Sequence, residues 1–193
     1  PFTVVFIGFL AVLFDKLIYK KLRDFGAAPA AIALTSLGLA VGLRGVIQFI
    51  WGTDSTRFPR ESKLFWDLPF KIKIPPDMFF CAIVAFLIAI MFYFVLFKTK
   101  LGKAIRATSD NPDLARITGI NTERIILYIW FIGGVLAATS GILISMQQAI
   151  ITPVMGWKIL IPLFAAVIVG GIGNPIGALM GGLLIGVTGE IAT

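Results

Sequence analysis

The chain has 193 residues, 58% of them hydrophobic, with 17 Phe and only 14% charged residues, and its mean hydropathy is +0.96. A soluble domain of this size has no interior large enough to hide that much apolar surface, so the composition is that of an integral membrane protein. The net charge of +7 is gathered in short stretches flanking apolar segments, which fits topology signals and not a nucleic-acid surface. With no His and the single Cys81, there is no intrachain disulfide, and zinc and thiol chemistry lack their usual ligands and nucleophiles.

A membrane span needs about 20 mostly apolar residues. By that measure Pro1–Phe14 is the tail of one span, and Asp15–Asp24, with Lys16, Lys20, Lys21 and Arg23, is a basic turn. Ala27–Trp51 is a second span, followed by a polar external loop over residues 52–77. In that loop "PFKIKIPP" alternates apolar and basic residues and suggests a short strand or edge hairpin. The loop is either a solvated cap or a docking surface. Met78–Phe97 is a third span, residues 98–124 form a loop with six basic residues, and Ile125–Met146 is a fourth span. Ile159–Thr193 is apolar but broken by "GGIGNPIG", Gly170–Gly177, giving two shorter segments or one discontinuous helix. The expected fold is therefore an all-α polytopic membrane protein of five to six transmembrane segments, in one membrane domain over residues 1–193. Both ends read as cut from a longer chain. The two basic loops lie an even number of spans apart and share a side, the cytoplasmic one by the positive-inside rule.

"SDNPDLARITGINTER", Ser109–Arg124, is built like a very short capped helix. Asn111 is a good N-cap, Pro112 suits the first helical position, Asp113 lies near the positive end of the dipole, and Gly119 can close the end in a left-handed conformation. Leu114 and Ile117 share a face with Ala115 beside it, making an apolar knob, while Asp113 and Arg116 remain for polar contacts. Spacing alone leaves open whether this helix docks on a partner or lies on the surface. Upstream, Lys98, Lys100, Lys103 and Arg106 can snorkel toward lipid phosphates.

The glycines of the last segment do not make a dinucleotide fingerprint. Gly173, Gly177 and Gly181 repeat at i+4, as do Gly182 and Gly186, which suits close helix packing. The alternative is an unwound hinge beside a substrate path, comprising Gly171, Gly173, Asn174, Pro175 and Gly177. Two charges, Arg44 and Glu190, fall inside apolar runs. Intramembrane charge points to a substrate path, while snorkelling to an interface is the plainer alternative; Arg44 is the candidate for the path.

"LGKAIRATSDNPDLARITGINTERI", then "GGVLAATSGIL" and "AAVIVGGIGNPIGALMGGLLIG", resemble the permease subunit of branched-chain amino acid ABC importers of the LivH/LivM type. "LGLAVGLRGVIQFIWGTDSTRFP" is closer to the H-type. The resemblance implies that Asp110, Asn111, Pro112, Asp113, Leu114, Ala115, Arg116 and Gly119 form a coupling helix that inserts into an ATP-hydrolysing subunit. It also implies a second permease subunit, two ATP-binding subunits, a periplasmic or extracellular substrate-binding protein, and a place in the bacterial cytoplasmic membrane, with no cofactor held by this chain and ATP bound by its partners. No G-x-x-x-x-G-K-[ST] loop occurs here, in keeping with that division. A secondary transporter or channel for a small polar solute is the alternative class and would need coupling-ion groups or selectivity rings in the membrane. A membrane-bound enzyme would need a clustered acid, base or nucleophile.

Overall fold

The computed structural model describes residues 2–57, 66–68, 72–74, 76–171 and 173–191. In chain order the elements are α1 (Phe2–Phe14), a π-helical turn (Asp15–Tyr19), α2 (Lys20–Asp24), α3 (Pro29–Trp51), β1 (Thr56–Arg57), β2 (Trp66–Leu68) and β3 (Ile72–Ile74). There follow α4 (Pro76–Lys98), α5 (Lys100–Asp110), α6 (Pro112–Ile117), α7 (Thr122–Gln148), β4 (Ile150–Ile151), α8 (Met155–Gly170) and α9 (Pro175–Ile191). Among the described residues four helices are long and apolar enough to cross a membrane: Phe2–Asp24, Ala30–Trp51, Met78–Lys98 and Thr122–Gln148. The shorter apolar helices α8 and α9 complete an all-α polytopic membrane protein. At 16 and 17 residues, each rises roughly 25 Å, somewhat less than the hydrocarbon thickness.

The residues group into two compact units, 1–36 with 58–149, and 37–57 with 150–193. In the first, α1 and α7 pack through small residues: a Cβ on Gly134 would press on the Ala11 methyl, and one on Gly8 would press on Phe131 and Val135. Phe9 meets Phe131 edge-on at 5.3 Å, and Tyr19 lies against Trp130 at 4.6 Å. The Cys81 thiol points at the Leu143 carbonyl of α7, 3.7 Å away, so it is a buried packing group joining α4 to α7. Large apolar side chains along the outer faces stay exposed, among them Phe6, Phe9, Phe86, Leu87 and Phe94, as suits surfaces whose solvent is lipid.

The basic turn expected at Asp15–Asp24 is helix instead. The first span runs from Phe2 to Asp24, and the chain turns only at Phe25–Ala28, where Gly26 takes a left-handed φ of 66°. The physical reason lies in Asp15, which is 1% exposed and whose carboxylate accepts two hydrogen bonds from Arg23, at 2.7 and 3.3 Å. Eight residues of α-helix overshoot two full turns by about 80°; the wider π turn takes up that excess and returns both groups to one face. The Tyr19 hydroxyl then donates to Ser36 Oγ at 3.0 Å, fastening the start of α3 to the end of the first span.

The strand expected in "PFKIKIPP" is present as β3, paired antiparallel with β2 in the register Trp66↔Ile74, Asp67↔Lys73, Leu68↔Ile72. The rest of that loop, residues 58–65, 69–71 and 75, lies outside the described residues. In the second unit β1 pairs antiparallel with β4, Thr56 opposite Ile151 and Arg57 opposite Ile150. The broken apolar stretch resolves into two helices, and α8 starts at Met155, four residues before the segment expected from hydropathy.

Candidate functional site

The α5–α6–α7 turn is built from short polar bonds. Thr99 caps α5, accepting from the Gly102 amide at 3.0 Å. Gly102 leaves no room for a Cβ, which would overlap the carbonyl oxygens of Leu96 and Val95; α5 therefore folds back hard against the end of α4. Arg106 donates to the Leu96 carbonyl at 2.8 Å and sits 4.9 Å from the Phe97 ring centroid. It satisfies one of the open carbonyls at the α4 C-terminus, so it is committed within the chain and is not the snorkelling group expected from sequence.

Asn111 breaks the chain into an extended conformation, φ −153° and ψ 100°, and its side chain accepts from the amides of Asp113 and Leu114 at 3.1 and 3.0 Å. Pro112 opens α6. At the other end Gly119, φ 86°, lets its amide reach the Arg116 carbonyl and the Ile120 amide reach the Ala115 carbonyl, each at 3.0 Å. These two bonds are the Schellman closure. A six-residue helix, far too short to persist alone in water, is thus closed at both ends by its own sequence. Asp110 is not part of it, since it ends α5.

The apolar knob differs from the expected one in a single residue. Leu114 is 59% and Ile117 83% exposed, but Ala115 is 3% exposed and turned inward. Its small side chain lets α6 lie close to its neighbours. Arg116 is tied as well: Nε donates to Thr122 Oγ1 at 2.9 Å, and Nη2 lies 3.9 Å from Glu123. Glu123 in turn pairs with Lys20 at 3.1 Å, and Asn121 caps α7 by accepting from the Arg124 amide. Thr122 and Glu123 were not singled out by sequence, and Lys20 was read only as part of a basic turn; the Thr-Glu pair directly after Asn121 was the available signal, being an N-cap followed by an acidic first turn.

The glycine-rich hairpin is a separate construction. Gly171 and Gly173 hold φ values of 92° and 89°, which disfavour any L side chain. Asn174 caps α9 by accepting from the amides of Ile176 and Gly177 at 3.2 and 3.1 Å, and Pro175 opens the helix. A Cβ on Gly177 would overlap the Gly170 carbonyl, and one on Gly181 the Ala166 carbonyl. The expected i+4 stripe is corrected accordingly. Gly177 and Gly181 carry the α8–α9 approach, Gly173 belongs to the turn, and Gly182 and Gly186 would meet nothing within 4 Å.

Arg44 lies on α3 in the second unit, its guanidinium carbon 5.8 Å from the Trp157 ring centroid.

The described residues thus form a polytopic set of apolar helices with a capped helix, its Leu114 and Ile117 exposed, between two of the spans. The chain belongs to the family described as the branched-chain amino acid transport system / permease component, whose model matches residues 2–193. It is 36% identical over 167 residues to the probable branched-chain amino acid transport permease protein LivH of Methanocaldococcus jannaschii, covering 86% of this chain and 51% of that one. It is 27% identical over 184 residues to the high-affinity branched-chain amino acid transport system permease protein LivH of Escherichia coli (strain K12), covering 93% and 59%. Over 107 residues it is 40% identical to the permease protein BraD of the corresponding high-affinity system in Pseudomonas aeruginosa, covering 54% and 34%. The chain spans about half the length of the LivH relatives it matches. No solved structure matches it significantly.

Proposed function

We propose that this chain is the membrane-embedded part of an ABC importer permease for branched-chain amino acids, residing in the cytoplasmic membrane. In this reading α6 docks into an ATP-hydrolysing partner, a second permease subunit completes the path, and a binding protein on the outer side delivers the solute. ATP is bound and hydrolysed by the partners. The observation that carries the reading is the pair Leu114 and Ile117, held outward on a helix closed at both ends. Two exposed aliphatic side chains on a rigid support are suited to filling a groove, and family membership makes a transport motor the fitting owner of that groove.

The internal ties indicate how docking would move the membrane helices. A push on α6 reaches α7 through Arg116, Thr122 and Glu123, reaches the end of the first span through Glu123 and Lys20, and reaches α4 through Arg106 and the Leu96 carbonyl. α7 transmits it to α1 across the Gly134–Ala11 contact. ATP-driven closure of the partners would shift these helices together and alternate the access of the path. The test is reconstitution of the complete assembly with its binding protein, followed by ATP-dependent uptake of branched-chain amino acids, other amino acids, amides and urea. Uptake of leucine, isoleucine and valine is the expected result; uptake confined to urea or amides would reassign the substrate, and solute flux without ATP would overturn the importer reading.

A further inference from the structure

Arg44 is a charged side chain with a buried nitrogen that finds no hydrogen-bond partner among the described residues. It lies within the apolar run of α3, seven residues before Trp51 and therefore about 10 Å of helix rise from that end. Arg23, Arg106 and Arg116 each donate to an oxygen at 2.7 to 2.9 Å. Arg44 instead has the Trp157 ring beside it, while its Nε is screened from solvent with no hydrogen-bond partner among the described residues. No carboxylate among the described residues pairs with it. Gln48, one turn further on the same face of α3, is half-buried too. The guanidinium presents five N–H donors in a planar fork. An aromatic neighbour favours the cation but accepts none of those edge bonds. The group that satisfies such an edge and neutralises the charge is a carboxylate taken bidentately.

We propose that Arg44, steadied by Trp157, is a recognition site for the carboxylate of the transported solute. This deepens the import reading and rests on it: the fork binds the acid group, the cation–π contact limits the swing of the guanidinium, and a solute without a carboxylate loses the attraction. Charged recognition of this kind, one partner removed, costs about 10- to 100-fold.

The test uses the complete assembly in proteoliposomes with its binding protein. Arg44→Gln lowers ATP-driven leucine uptake by about 10- to 100-fold, and Arg44→Lys, which keeps the charge but not the fork, falls between it and the parent. In parallel, modification of Arg44 in the parent by phenylglyoxal, read by mass spectrometry, is slowed by millimolar leucine and not by leucinamide or isoamylamine, in phosphatidylcholine and phosphatidylglycerol vesicles alike. A parent that imports no amino acid removes the import reading and this site with it. A parent that imports normally, with Arg44→Gln importing equally well, overturns the site alone. Equal protection by leucinamide, or no protection by leucine, also overturns it. Protection that follows phosphatidylglycerol and ignores the solute assigns the guanidinium to lipid phosphate and overturns it as well. Should Arg44→Gln fail to assemble, the protection pattern on the parent decides.

Discussion

The α5–α6 junction and the α8–α9 junction use the same dipeptide for opposite ends. Asn111-Pro112 and Asn174-Pro175 each start a helix, with the Asn side chain accepting from two backbone amides and the Pro in first position; Asn111 also ends α5, whereas α8 has already ended at Gly170. After Asn111 come a single inward alanine and two outward aliphatics on a helix of six residues. After Asn174 come Gly177 and Gly181, which press backbone against backbone along a helix of 17 residues. The contrast shows that capping sets where a helix begins, while the residues one turn later decide whether it closes on its own chain or remains free to meet another.

Breaking the hairpin is expected to have the largest effect. Gly177→Leu places a side chain into the Gly170 carbonyl, which cannot withdraw, and should destabilise the protein by about 3 kcal/mol or more; the yield of monodisperse assembly and its thermal midpoint in detergent measure this. Breaking the knob should leave the fold intact and remove the coupling. Leu114→Asp lowers ATP-dependent uptake by roughly 30-fold or more, the scale of an interface hot spot, with membrane insertion and yield unchanged; normal uptake would count against docking. The two caps sharpen the comparison, since each Asn→Ala costs about 1 kcal/mol of helix stability. Asn111→Ala should melt most of α6, while Asn174→Ala only frays the start of the longer α9, a difference that hydrogen exchange of the following amides will report. Glu123→Gln is the mildest change. It cuts the half-exposed links to Lys20 and Arg116, costs under about 1 kcal/mol, and differs less from the parent as salt is raised, as thermal midpoints at two ionic strengths will show.

Much of this was legible in the chain because it was local. Asn111, Pro112 and Gly119 announce a helix and its ends through bonds that reach only a few residues, and the hydrophobic runs announce the spans by length. The inward turn of Ala115 was not legible, because it depends on how α6 lies against the neighbouring helices, nor was the role of Thr122 and Glu123 as anchors of Arg116. Asp15 and Arg23 misled in a different way. Six charges within ten residues read as a loop in any composition count, yet a part-buried ion pair across a π turn makes the same stretch the end of a span. The glycines were readable as packing residues, but periodicity could not separate Gly177 and Gly181, which touch α8, from Gly182 and Gly186, which touch nothing described.

The central claim, that α6 is held on the cytoplasmic side in a groove of a separate ATP-hydrolysing protein, is tested most directly by labelling Ile117→Cys in a Cys81→Ala background with a membrane-impermeant maleimide. The account predicts that the introduced thiol reacts in inside-out vesicles stripped of the partner, is protected when the partner is restored to complete the assembly, and is silent from the outer face. Labelling from the outer face, or equal labelling with and without the partner, would contradict it.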